Sequence, residues 1–159
     1  MNLLLIRKYK YRVSRQIDDV IEQIATLTNR KWYDFSENIT GRFNEDNTFT
    51  LTQKWSFVYV GGLSNIGPAC LTGKLLAEGD ATVIETTLRP NYSLVFVLYF
   101  LAVICLLELT GLMTIVEGTG TVAALFLAAF GLIWFGVIQI SMYNLRRRFE
   151  RLLQIGSKK

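Results

Sequence analysis

Two long apolar runs in residues 92–143, parted only by Glu117-Gly118-Thr119-Gly120, constrain this chain more than any other feature. At about 1.5 Å per helical residue, each run (92–116 and 121–143) is long enough to cross a hydrocarbon core of about 30 Å. Two buried core helices of that length would need covering surface, and a chain of 159 residues has little to spare. The expectation is an antiparallel transmembrane hairpin whose short break returns both ends to one side.

Formal charge is spread unevenly around this hairpin. Residues 1–91 hold eleven Lys/Arg and ten Asp/Glu, and residues 92–143 hold only Glu108 and Glu117. After Tyr143 come six Lys/Arg and a single carboxylate, Glu150. The pI of 9.2 is therefore expected to belong to the tail and not to a basic face of the folded domain, which argues against a nucleic-acid partner. Arg146, Arg147, Arg148 and Arg151 flank the second run and Arg89 precedes the first, whereas the break carries only Glu117. The positive-inside rule then places both termini in the cytoplasm. Leu3-Leu4-Leu5-Ile6 is too short for the apolar region of a cleaved signal, and its cations follow it rather than precede it.

Ahead of the hairpin the pattern alternates with period two. Tyr9, Tyr11 and Val13 share one face of a strand and Lys8, Lys10 and Arg12 the other; the lysines fit an edge position. Ser14 reads as a helix N-cap, with Asp18 and Asp19 in the first turn and Ile17, Val20, Ile21, Ile24 and Leu27 forming an apolar stripe. Strands follow over 31–43, 48–59, 69–76 and 81–88, with turn chemistry at Asn44-Glu45-Asp46-Asn47 and Glu78-Gly79-Asp80 and a glycine loop over 61–68. Trp32, Tyr33, Phe35, Trp55 and Phe57 are expected to supply much of the core. Residues 1–91 thus read as a β-α-β-β-β-β domain. One helix is too narrow for five strands, so the uncovered part of the sheet is expected to lie on the membrane or on a partner.

Gly41-Arg42-Phe43, Phe49, Pro68, Leu71-Thr72-Gly73-Lys74-Leu75, and Thr82-Val83-Ile84 leading into Arg89-Pro90-Asn91 look like a pattern in short bacterial membrane proteins. In those proteins a small β-rich domain precedes a hydrophobic hairpin. The resemblance implies that architecture and a bacterial source. It implies no activity and no catalytic residues.

Candidate contact residues lie in the hairpin and the tail. Gly120, Ala124 and Ala128 recur every four residues, a small-residue face that permits close helix approach within the hairpin or between copies. Glu108 is either an intramembrane carboxylate level with Ala128 and Ala129, or an interfacial one if the first span ends near Leu112. Residues 144–159 read as a short basic amphipathic helix, with Leu145, Phe149, Leu152 and Leu153 on one side. Its Arg146, Arg147, Arg148 and Arg151 are candidate contacts for anionic headgroups.

The sequence has no histidine, which removes His-based nucleophile systems and metal sites. Cys70 and Cys105 are too widely placed to read as a disulfide or a zinc site. No cofactor or metal is expected. The chain reads as a non-enzymatic α+β membrane protein, an accessory or scaffolding subunit with lipid and protein partners. The alternative is a membrane sensor or effector whose β domain binds a ligand and whose hairpin self-associates.

Overall fold

The computed structural model describes residues 5–28, 39–44, 46–53, 67–111 and 120–154. Trp32, Tyr33, Phe35, Trp55, Phe57, the glycine loop over 61–66 and the break with Glu117 lie outside the described residues. The chain divides into two units: Met1–Asn91 together with Ser141–Lys159, and Tyr92–Ile140. The C-terminal tail therefore belongs with the N-terminal domain, and the two apolar helices interrupt that domain in sequence.

The first unit runs β1 (Arg7–Val13), α1 (Ile17–Thr28), β2 (Ile39–Phe43), β3 (Thr48–Gln53), β4 (Ala69–Glu78) and β5 (Ala81–Pro90). Its strands form one antiparallel sheet in the order β1-β5-β4-β3-β2, so β1 is an edge strand as its lysines indicate. The β4–β5 hairpin turns at Gly79-Asp80, where Gly79 takes the positive φ of 62° that a side chain would resist. At the β2–β3 turn Asn47 adopts φ 58°, a conformation asparagine tolerates. Helix α1 begins at Ile17, two residues later than a Ser14 cap would give. Ser14 and Arg15 instead form a bend, closed by a 2.9 Å bond from the Arg15 N–H to the Val13 carbonyl.

Register sorts the side chains onto two unlike faces. Phe49, Leu51, Leu71, Leu75, Ile84 and Leu88 all point to one face and are buried. Helix α1 covers part of this face with Val20 and Ile24, lying over β2, β4 and β5. The rest is covered by an element the sequence reading assigned to the membrane surface. No separate C-terminal helix exists among the described residues: the tail is the end of α3 (Gly120–Leu152). Met142, Leu145 and Phe149 recur along it every three or four residues, Leu153 follows, and all four are buried. Phe149 stacks on Phe49 at 5.6 Å and meets Tyr11 at 6.0 Å, and the Gln53 side chain donates to the Ser141 carbonyl at 3.0 Å. Both the membrane and the sheet suit an apolar stripe. Here the sheet, left half-covered by α1, takes it.

Gly73 makes this packing feasible. It lies directly across from Phe49 in the register, and the Phe49 ring occupies the space that a Cβ at Gly73 would need. The ring can then lie flat on β4 and present its other side to Phe149.

The second unit contains α2 (Tyr92–Leu109) and residues 120–140 of α3. Helix α2 stops seven residues earlier than the apolar run, because Thr110-Gly111 ends it. The Thr110 hydroxyl donates to the Leu106 and Leu107 carbonyls at 3.0 Å. Gly111, at φ 71°, donates its N–H to the Glu108 carbonyl at 3.2 Å. Both helices are long and apolar enough to cross a membrane.

Replacing Phe149 by alanine is expected to cost about 3–5 kcal/mol, the range for losing a buried phenylalanine. Phe126→Ala, at a position of the same helix that is 75% exposed, should cost far less in detergent-solubilised chain. Thermal unfolding followed by circular dichroism compares the two; equal losses would contradict the packing of the tail on the sheet.

Candidate functional site

Two hydrogen bonds tie α2 to α3 within the second unit. Trp134 donates its indole N–H to the Leu94 carbonyl at 3.3 Å, and the Cys105 thiol approaches the Ala124 carbonyl at 3.4 Å. Eleven residues forward along α2 correspond to ten back along α3, as antiparallel neighbours require. Glu108, nearly one turn beyond Cys105, is then level with the first turn of α3 and not with Ala128 and Ala129. The difference follows from the early end of α2, which moves the centre of the hairpin toward the N-terminus.

Glu108 thus sits in the last turn of α2, 4% exposed and engaged with a partner. Ala124 is buried in the contact with Cys105, whereas Ala128 is exposed and Gly120 is the first residue of α3. The four-residue spacing therefore does not form a single contact face inside the hairpin. Around these contacts the surface is apolar: Phe96, Leu132 and Phe126 are more than 70% exposed.

The arginines of the tail fall into two groups. Arg147 and Arg151 are exposed, and Arg148 is half-buried and engaged. Arg146 is committed to the sheet unit. Its guanidinium lies 4.2 Å from the centre of the Tyr9 ring, and its Nε donates to Glu150 Oε1 at 2.7 Å. The same carboxylate oxygen accepts the Tyr11 hydroxyl at 2.9 Å. Farther along, Arg15 donates to the Gln154 side chain at 2.7 Å. Tyr9 and Tyr11 come from β1, while Arg146 and Glu150 are one turn apart on α3, so one strand and one helix supply a four-residue latch.

The latch leaves a mark on Tyr11. Burial, together with the Glu150 carboxylate beside it, pushes its phenol up to about 12, with Arg146 opposing. The folded chain holds this proton more tightly than the unfolded chain, whose ordinary value is 10.0. The resulting stabilisation is complete below about pH 10 and is lost as pH rises through about 12.

The opposite face of the sheet is polar. Among the described residues, Lys8, Lys10, Arg12, Arg42, Lys74 and Arg89 point to it, against Glu78 and Glu85. This overturns the expectation that the domain lacks a basic face. Net charge over residues 1–91 hides the segregation, because Asp18, Asp19 and Glu22 lie on α1 and Asp46 and Asp80 lie in turns. Strand alternation alone points Lys8, Lys10 and Arg12 one way; their meeting with Arg42 and Lys74 needed the cross-strand register.

No group of three potential metal ligands occurs among the described residues. Cys70 and Cys105 are free thiols in different units. Burial pushes the Cys70 thiol up despite the neighbouring Arg89, which works against nucleophilic use. No family model, curated protein or solved structure matches this chain.

Tyr11→Phe should flatten the fall in stability between about pH 10 and pH 12 relative to wild type. Melting curves of the two chains across that window provide the check; parallel losses would remove the latch from the account.

Proposed function

We propose that this chain is a non-enzymatic integral membrane protein, an accessory or scaffolding subunit of a bacterial inner-membrane complex, anchored by α2 and α3. The observation that carries the reading is the apolar surface of the hairpin. Large side chains are exposed along both helices, including Phe100, Val103, Leu106 and Leu109 on α2 and Leu125, Phe130, Ile133 and Ile140 on α3. A soluble monomer rarely exposes so large a contiguous apolar patch, and a lipid bilayer is the solvent that suits it. The 18 residues of α2 span about 27 Å, close to the thickness of a hydrocarbon core.

Sidedness follows from the cations. Arg89 and the arginines of 146–151 flank the ends of the spans nearest the sheet unit in sequence, and the positive-inside rule assigns that side to the cytoplasm. Both termini are then cytoplasmic. Arg147 and Arg151 remain available to anionic headgroups at about 1 kcal/mol each near the surface. In this reading the sheet unit is the module that meets other proteins. It offers no histidine, no activated thiol and no ligand cluster among the described residues on which to build catalysis.

In bacterial membranes the chain should stay in the pellet after alkaline carbonate washing and leave it only with detergent. Release by carbonate would remove the transmembrane assignment. A Gln154→Cys reporter in a Cys70→Ala, Cys105→Ala background should resist a membrane-impermeant maleimide applied to intact spheroplasts; labelling would reverse the orientation. Mild detergent extraction should bring a stoichiometric protein partner, whereas isolation as a self-associated species alone would favour the ligand-sensing effector.

A further inference from the structure

The polar face of the sheet has an order that its composition does not show. One row crosses all five strands: Lys8 on β1, Thr87 on β5, Thr72 on β4, Thr50 on β3 and Arg42 on β2. A cation stands at each end, and three threonines form the floor between them. The neighbouring row sets Lys10, Glu85, Lys74 and Thr48 side by side. Lys8, Thr87, Thr72 and Thr50 of the first row and all four residues of the second row line a depression of about 650 Å³, and Arg42 lies beyond its rim in a neighbouring one.

We propose that this depression is the docking site for an acidic, extended polypeptide segment of a partner protein. The proposal rests on the accessory-subunit reading and names the chemistry of the partner. Charge complementarity is the first argument: among the described residues, six cations on this face meet two carboxylates. Lys10 pairs with Glu85 at 3.2 Å and Arg12 with Glu78 at 3.7 Å, both at exposed positions. Lys8 and Arg42, at the two ends of the row, have no ion-pair partner among the described residues. The floor supplies the second argument. The Thr72 hydroxyl is used by the Thr87 carbonyl at 3.3 Å, but the Thr50 and Thr87 hydroxyls are free among the described residues to donate to a carboxylate.

Shape and composition select among anionic partners. No aromatic ring from the described strands points to this face, since Tyr9, Tyr11, Phe43 and Phe49 all fall on the other. The stacking platform on which single-stranded nucleic acids rest is therefore missing from these strands. A depression also matches a narrow segment better than the broad plane of a bilayer surface. The row measures about 19 Å at the usual strand spacing, enough for about six extended residues.

Fluorescence anisotropy of a labelled oligoglutamate peptide, with the full chain in neutral-lipid nanodiscs, tests the assignment. Binding should weaken with added salt. The double exchange Lys8→Glu with Glu22→Lys preserves net charge while reversing one end of the row, because Glu22 lies on α1. It should weaken binding about tenfold. Undiminished binding by this variant would overturn the proposal. So would tighter binding of a single-stranded oligonucleotide of equal charge, or a preference for vesicles containing phosphatidylglycerol over the peptide. A Thr50→Val variant offers a milder check on the floor and should weaken binding without changing the melting curve; unaltered affinity would remove the threonines from the site. The assay reads the sheet face alone, so its failure leaves the carbonate and maleimide results standing.

Discussion

The sheet unit depends on the burial of one helical stripe, Met142, Leu145, Phe149 and Leu153, against the face that α1 leaves open. A five-stranded sheet is about 19 Å across from first strand to last, and one helix covers about 10 Å of it. Two helices are therefore needed, and the chain supplies the second from its far end. Full burial of each such side chain is worth roughly 1.5–3 kcal/mol before entropy is counted, so the stripe is a large part of what holds a small domain together. The Tyr9–Arg146 and Tyr11–Glu150 contacts fix where along the sheet the helix settles.

Closing one face by apolar packing releases the other from any role in the core. Strand alternation then turns every second residue of β1 to β5 toward the other face, where lysine, arginine and threonine dominate although Val83 stays buried. The ion pairs among them are too exposed to contribute much stability. Threonine suits the pleated surface, and its hydroxyl adds hydrogen-bonding capacity at no cost to the fold.

Much of this was legible from residue order. Period-two alternation located β1 and β5, the lysines put β1 at an edge, and turn residues marked both hairpins. The stripe on α1 was equally plain, although the Val13–Arg15 bend delayed its start past Ser14. What escaped the sequence was long-range pairing. Leu145, Phe149 and Leu153 read as a membrane-surface helix because an apolar stripe opposite arginines satisfies a headgroup layer and a half-covered sheet equally well. Glu150 stands out in the sequence only as the lone carboxylate of the tail, since its partners Tyr11 and Arg146 converge only once β1 and α3 are packed. The end of α2 was readable in principle: Thr110-Gly111 is a helix stop, but hydropathy continues past it through Leu112, Ile115 and Val116. The basic face was hidden by averaging charge over a segment in which Asp18, Asp19, Glu22, Asp46 and Asp80 lie off that face.

Because the sheet unit is split in sequence, with Tyr92–Ile140 between its parts, the order of synthesis bears on how it matures. All five strands are complete once Pro90 has been made, but the covering stripe ends at Leu153. At about 5–20 residues per second, that interval is roughly 3–13 s. Throughout it the part of the sheet face that α1 leaves open, with Phe49 on it, lacks its cover beside the lysine-bearing edge at β1. The domain is thus completed late by construction, and any factor that meets the emerging chain would meet it while that face is covered only by α1.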